Sequence, residues 1–174
     1  RGEIELPPGF RQKLERIFDF PAYMVKPNGN YPSVNDNYSA QDPDELPDRR
    51  AGLVELGVEV TGRDDLRYIH TFGAEGARPE KTSLAFPYAG FYVMRSDWSA
   101  DARYLVFDGG QSAGGHNHVD KLSFELYAYG NTLVTDSGCA GPWSSAWRSD
   151  YFVGTAGHNT IMVDGRGQVA GFPL

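Results

Sequence analysis

The hydrophobic pattern of this 174-residue chain changes its period once, near residue 80, and that change constrains the fold more than any other feature. Before it, apolar residues keep helical spacing. Phe10, Leu14, Ile17, Phe18, Pro21 and Ala22 predict a helix over residues 7–25, opened by Pro7-Pro8 and closed by Pro27-Asn28-Gly29. Helical spacing returns from Arg49 to about Val60 and from Asp64 to about Phe72, with Thr61-Gly62-Arg63-Asp64-Asp65 supplying a break and an N-cap. Residues 31–38 are polar without a period and read as a loop. Residues 41–49, rich in Pro and Asp, read as a linker.

From Ser83 onward the texture is that of short strands. Residues 90–96, 102–108, 121–129, 132–136 and 159–163 are β-rich runs separated by glycine turns, and Tyr129-Gly130-Asn131-Thr132 is a hairpin signal. Helices followed by strands predict an α+β chain. Residues 1–80 form its helical segment, and residues 81–174 an antiparallel sheet or sandwich.

Charge and composition exclude several classes of function. A net charge of −7 argues against general nucleic-acid binding, which needs a basic footprint. No apolar run approaches the roughly 20 residues that span a bilayer, and the first twenty residues hold no signal-peptide core. With Arg1 at one end and Leu174 at the other, the chain reads as a piece of a longer protein that would carry any targeting signals elsewhere. The single cysteine, Cys139, cannot form an intrachain disulfide and reads as a small buried residue.

The chemistry concentrates between Gly114 and Leu126, where two of the four histidines stand one residue apart after a glycine turn. If the segment is extended, His116, His118 and Asp120 share a face with Leu122, Phe124, Leu126 and Ala128, and that face is expected to be buried. Buried imidazoles need partners, because an unpaired polar group costs roughly 1–3 kcal/mol. Two imidazoles and a carboxylate form a common zinc set. His118 and His158 can supply the imidazoles and Asp120 or Asp136 the carboxylate. Asp136 is favoured, since it ends a neighbouring strand and can approach across the sheet.

His116, at the edge of the turn, is placed to face a cleft and to give or take a proton. Tyr151, beside Arg148, is a candidate acid or base. Arg95, Arg148, Asn159 and Asn117, the last between the two histidines, are candidate ligands for an acidic substrate. His70, in a helical stretch, reads as structural.

Several strings resemble the heparinase II/III-like polysaccharide lyases: Ala89-Gly90-Phe91-Tyr92-Val93-Met94-Arg95-Ser96-Asp97-Trp98, Leu105-Val106-Phe107-Asp108-Gly109-Gly110, Gly115-His116-Asn117-His118-Val119-Asp120-Lys121-Leu122-Ser123-Phe124, Asp136-Ser137-Gly138, and His158-Asn159-Thr160-Ile161-Met162-Val163-Asp164-Gly165. The resemblance covers residues 83–168 well, and residues 27–32 and 35–36 more weakly. It implies that residues 1–80 close an (α/α) toroid and that a truncated β-sandwich follows, with the active site between them.

It further implies a zinc ion held by His118, Asp136 and His158, with His116 facing the substrate and Tyr151 in the cleft. The implied reaction is β-elimination on a uronate-containing glycan. A base removes the C5 proton, the electron pair forms the C4–C5 double bond, and the oxygen leaving C4 takes a proton. The family's main tyrosine, and the residues that neutralise the uronate carboxylate, fall in earlier toroid helices. Expected partners are an acidic polysaccharide or oligosaccharide, with no nucleic acid and no membrane, and a homo-oligomer is left open. The expected location is secreted or periplasmic. Two other readings stand beside this one: a carbohydrate-binding or structural β-sandwich without turnover, and a zinc-dependent hydrolase.

Overall fold

A computed structural model describes residues 7–37, 52–110, 116–139 and 146–169. The expected linker at 41–49, the glycines that precede His116 and both chain ends lie outside these residues. Among the described residues four helices come first: α1 (Phe10–Ile17), α2 (Asp19–Met24), α3 (Gly52–Thr61) and α4 (Asp64–His70). Five strands follow: β1 (Leu84–Phe86), β2 (Phe91–Arg95), β3 (Tyr104–Asp108), β4 (Ser123–Ala128) and β5 (Asn131–Val134).

The helix expected over residues 7–25 is two helices joined at Phe18, which sits at φ −76° and ψ −9°. Pro21 is the physical cause. Lacking an amide hydrogen, it cannot bond the carbonyl four residues back, and it is tolerated only in the first turn of a new helix. Four consecutive residues of α2, Pro21 to Met24, are buried. Between α3 and α4 the expected break is present, but the N-cap is Arg63, whose side chain caps nothing. Thr61 Oγ1 instead accepts the Arg63 amide hydrogen at 3.2 Å. Two left-handed residues, Phe72 at φ 55° and Gly73 at φ 83°, end α4. The Gly73 amide returns to the Tyr68 carbonyl at 2.8 Å, as in a Schellman closure.

All five strands form one antiparallel sheet in the order β1-β2-β3-β4-β5. Neighbours in sequence are neighbours in space, so the sheet is a meander built from short connections. The predicted hairpin forms with Ala128 opposite Asn131. Its two loop residues, Tyr129 at φ 55° and Gly130 at φ 76°, are both left-handed, the type I′ geometry that matches strand twist.

The strand expected at 159–163 does not form; within it, only Val163 makes an isolated bridge, to Arg166. Side chains replace the ladder there. Asn159 Nδ2 donates to the carbonyls of Phe124 at 3.1 Å and Thr135 at 2.8 Å, and the Thr160 hydroxyl donates to the Lys121 carbonyl. Ile161 and Val163, whose composition suggested a strand, stand 64% and 68% exposed.

One core joins the helices to the sheet. Phe18, Ala22, Tyr23, Met24, Val54, Leu66 and Ile69 pack with Val93, Tyr104, Val106 and Tyr127. At this contact Gly57 is a packing requirement, since a Cβ there would lie 2.9 Å from both Leu66 Cδ1 and the Phe18 ring. The end of α2 is tied to the sheet by two further bonds. Tyr104 Oη donates to the Met24 carbonyl at 3.0 Å, and the Arg95 guanidinium donates to the Val25 carbonyl.

Candidate active site and metal centre

The histidine segment is not strand. Residues 116–122 form a turn, β4 begins at Ser123, and Leu122 between them is left-handed at φ 67° and 48% exposed. A left-handed residue resets the alternation of faces, so the expected parity is reversed from Ser123 to Tyr127, while Ala128, after a register shift at Leu126/Tyr127, is buried as expected. Ser123, Glu125 and Tyr127 are buried, whereas Phe124 and Leu126 are only half-buried. His118 and Asp120 are buried completely, by the turn rather than by a sheet face, and the His116 side chain is 73% exposed.

The loop at 31–37 meets this turn. Asp36 Oδ2 lies 2.9 Å from His116 Nδ1, and Oδ1 lies 3.1 Å from His118 Nε2. Arg148 Nη2 donates to both oxygens at 2.7 Å. Burial pushes the Asp36 carboxyl upward, but hydrogen bonds from His118, His116, Arg148 and Cys139 outweigh it and bring it down to about 2. Burial, and then the hydrogen bond to Asp36, raise the Cys139 thiol. The neighbours of Asp36 fasten it in place. Asn35 Oδ1 accepts the His118 amide hydrogen at 3.4 Å, and the Asn37 carbonyl accepts that of Cys139 at 3.2 Å.

Behind His118 lies a metal-like constellation. One ligand atom each from His118, Asp120 and His158 falls within 4.8 Å of the others, and all three residues are buried. Both Asp120 oxygens and His158 Nε2 have no hydrogen-bond partner among the described residues, and the nearest cation to Asp120 is Lys121 Nζ at 3.8 Å. Asp136 is engaged differently. Its Oδ2 is 2.8 Å from His158 Nδ1, and its Oδ1 accepts the Gly138 amide hydrogen at 2.9 Å. Burial lowers the His158 pKa, but the Asp136 hydrogen bond and the charges of Asp136 and Asp120 together raise it.

The donor chemistry fits a borderline-soft divalent ion such as zinc: two imidazoles, a carboxylate with both oxygens unsatisfied, and a second carboxylate on the far nitrogen of one ring. His118 and His158 therefore come together as the spacing suggested. Of the two carboxylates, Asp120 joins the cluster directly, while Asp136 is hydrogen-bonded to His158.

The other candidates separate. Arg148 and Tyr151 share one short helical turn, Arg148–Phe152, which the Arg148–Asp36 pair fastens beside His116. Tyr151 is 43% exposed, with its ring edge-on to Phe152 at 5.3 Å. A Cβ on Gly157 would lie 2.5 Å from the Tyr151 carbonyl, so a glycine lets the chain pass closely behind that turn.

Asn117 is half-buried between the histidines. Arg95 is buried away from them. Its guanidinium carbon stacks 4.2 Å from the Trp98 ring and 4.9 Å from the Tyr104 ring, and burial lowers its pKa to about 10. The Asn159 amide is spent on two carbonyls of the sheet. His70 closes α4, half-buried, and its Nδ1 finds no hydrogen-bond partner among the described residues.

Asp36 lies in the polar loop at 31–38, to which the sequence pattern assigns no chemical role. The available signal was the polar run Asn35-Asp36-Asn37, with Asn35 able to adopt the left-handed φ of 56° that turns Asp36 toward the histidines.

Fold and site together define a class: a helix-backed antiparallel β domain with a buried histidine and carboxylate centre behind an exposed histidine. Residues 78–171 match the family profile described as heparinase II/III-like, C-terminal. The chain belongs to the heparinase II/III-like family.

It is 28% identical over 165 residues to a heparin-sulfate lyase of Bacteroides stercoris, covering 93% of this chain and 24% of that protein. It is 24% identical over 170 residues to a heparin-sulfate lyase of Pedobacter heparinus, covering 96% of this chain and 25% of that protein. Among solved structures it resembles the heparan sulfate lyase HepC of Pedobacter heparinus, with a TM-score of 0.81 at 23% identity over 95% of this chain and 26% of that one. A heparinase III gives a TM-score of 0.77 at 24% identity over 95% of this chain and 28% of that one. The chain thus spans about a quarter of the length of these relatives, and the structural likenesses establish the antiparallel β fold with its preceding helices.

Proposed function

We propose that this chain is the C-terminal portion of a polysaccharide lyase that cleaves uronate-containing glycans of the heparin and heparan sulfate type by β-elimination. The observation that carries this reading is the exposed His116, held at Nδ1 by Asp36 directly in front of the buried His118, Asp120 and His158 cluster. In this reaction negative charge builds on the uronate carboxylate as the C5 proton leaves, so a fixed donor or base at the cleft surface contributes most. His116 takes that role. Tyr151, on the turn pinned by Arg148, serves as acid or base toward C5 or the C4 oxygen. Arg148 acts through Asp36 rather than on substrate. Arg95, which is buried, and Asn159, whose amide is spent on backbone carbonyls, take no part in substrate binding.

The buried cluster would hold a zinc ion, which when bound would supply a fixed positive charge behind the turn carrying His116. His118 and His158 are its imidazole ligands. The resemblance assigns the carboxylate to Asp136, but the geometry favours Asp120 as the direct donor, with Asp136 orienting His158 from its far nitrogen. The proposed location is outside the cytoplasm, in the periplasm or secreted. Among the described residues no helix is long and apolar enough to cross a membrane.

The test is an assay of the longest native polypeptide containing this chain on heparan-type oligosaccharides, read by the ultraviolet absorbance of the unsaturated product. The His116→Ala variant is expected to lose about 100-fold or more in kcat. Saturated products whose release a chelator stops would replace this reading with a hydrolase. Glycan binding without any product would replace it with a binding module.

A further inference from the structure

Resting on the reading of His116 just given, we propose that Asp36 is a positioning residue: it holds His116 in the tautomer protonated at Nδ1 and turns the Nε2 lone pair toward the substrate. Asp36 is reached from three sides. Its side chain is 9% exposed, and Arg148 Nη2 stands 2.7 Å from each of its oxygens. A carboxylate paired with a guanidinium only accepts hydrogen bonds, so a ring nitrogen facing it must donate.

His116 Nδ1, at 2.9 Å, is therefore N–H, and a neutral imidazole protonated there carries its lone pair on Nε2. The His116 side chain is 73% exposed, and with Nδ1 facing Asp36 the Nε2 edge is the one turned away from that carboxylate. The same reasoning at His118, whose Nε2 is 3.1 Å from Asp36 Oδ1, assigns its lone pair to Nδ1. One carboxylate thereby sets the working atom of both histidines.

The placement of Asp36 is itself over-determined. Asn35 before it adopts φ 56° and accepts from the His118 amide at 3.4 Å. Asn37 after it donates through Nδ2 to the Pro32 carbonyl at 2.7 Å and accepts from the Cys139 amide at 3.2 Å. The loop at 31–37 comes from the helical part of the chain, so the orientation of a sheet-side histidine is set from the helical side. Through Arg148 the same carboxylate anchors the turn that carries Tyr151. A surface ion pair would offer none of this geometry and would contribute little.

The experiment has two readings on the native full-length polypeptide. Imidazole nitrogen NMR of the unmutated protein should show His116 protonated at Nδ1 and bare at Nε2; the opposite tautomer overturns the proposal without any variant. In turnover assays Asp36→Ala should lower kcat by about 10-fold or more, with KM changed less, and should add under about 2-fold when placed on His116→Ala. Losses that multiply in full across the two sites mean that Asp36 acts elsewhere, through the metal or the fold, and overturn the proposal. Undiminished turnover in His116→Ala alone would instead remove the catalytic reading of His116, and the tautomer spectrum would still decide whether Asp36 holds the ring.

Discussion

Lys26 Nζ and Glu125 Oε2 stand 3.6 Å apart with neither side chain reaching solvent, at 1% and 0% exposure. The pair links the chain just after α2 to the middle of β4. Lys26 also donates to Thr132 Oγ1 at 3.1 Å, and Glu125 Oε1 accepts the amide hydrogens of Ser33 at 2.6 Å and Asp136 at 3.1 Å. One carboxylate thus supports both the loop that carries Asp36 and the backbone of Asp136. Burial pushes the Glu125 carboxyl up, and the Lys26 charge pulls it back.

Removing only the lysine is expected to be severe, because it strands a buried carboxylate. Lys26→Met should cost about 3–5 kcal/mol in urea unfolding, and Glu125→Gln added to it should recover part of that loss, since an amide oxygen still accepts both backbone hydrogens. A single-variant cost below about 1 kcal/mol would show that the pair does not hold the join.

Metal content distinguishes the two carboxylates of the buried centre. His118→Ala and His158→Ala are each expected to abolish bound zinc. Asp120→Asn should do the same, whereas Asp136→Asn should retain zinc with affinity lowered about 10- to 100-fold, the usual effect of removing a partner that orients a ligand. Elemental analysis after dialysis checks this. The reverse pattern would make Asp136 the direct ligand.

Acid stability depends on Arg63. Its Nε and Nη2 donate to the two Asp65 oxygens at 3.0 Å and 2.6 Å, and its Nη1 donates to Asp19 Oδ1 at 2.7 Å and the Glu15 carbonyl at 2.9 Å. The hydrogen bonds from Arg63 hold the Asp65 carboxyl below its ordinary value of 3.8. A carboxyl lowered on folding contributes stability above its unfolded pKa and loses it as pH falls through the folded one. Arg63→Gln should therefore cost about 1 kcal/mol at neutral pH, given partly exposed partners, and the deficit should shrink below pH 4. Unfolding curves from pH 7 to pH 2 check the sign; a deficit that grows in acid would contradict it.

Much of the architecture follows from local pattern. The order of helices then strands, four of the five predicted strands and the Tyr129-Gly130 hairpin are readable because side-chain period and turn stereochemistry act within a few residues. The division of α1 from α2 was not read from the spacing, which runs through Pro21 as one helix, although the missing amide hydrogen of Pro21 is a local cause. The meeting of His118 with His158 was legible as residue chemistry.

Tertiary structure decided the rest. The left-handed Leu122 reversed which residues of β4 face the core, and the side-chain bonds of Asn159 and Thr160 displaced a strand that composition favoured. Asp36 is separated from His116 by 80 residues and from Arg148 by 112, and no periodicity links positions so far apart. Local propensity is a sum over near neighbours and is written in the sequence. The site depends on which loop the shared core presses against which turn, and only the packing of Phe18, Leu66 and Tyr104 into one interior settles that.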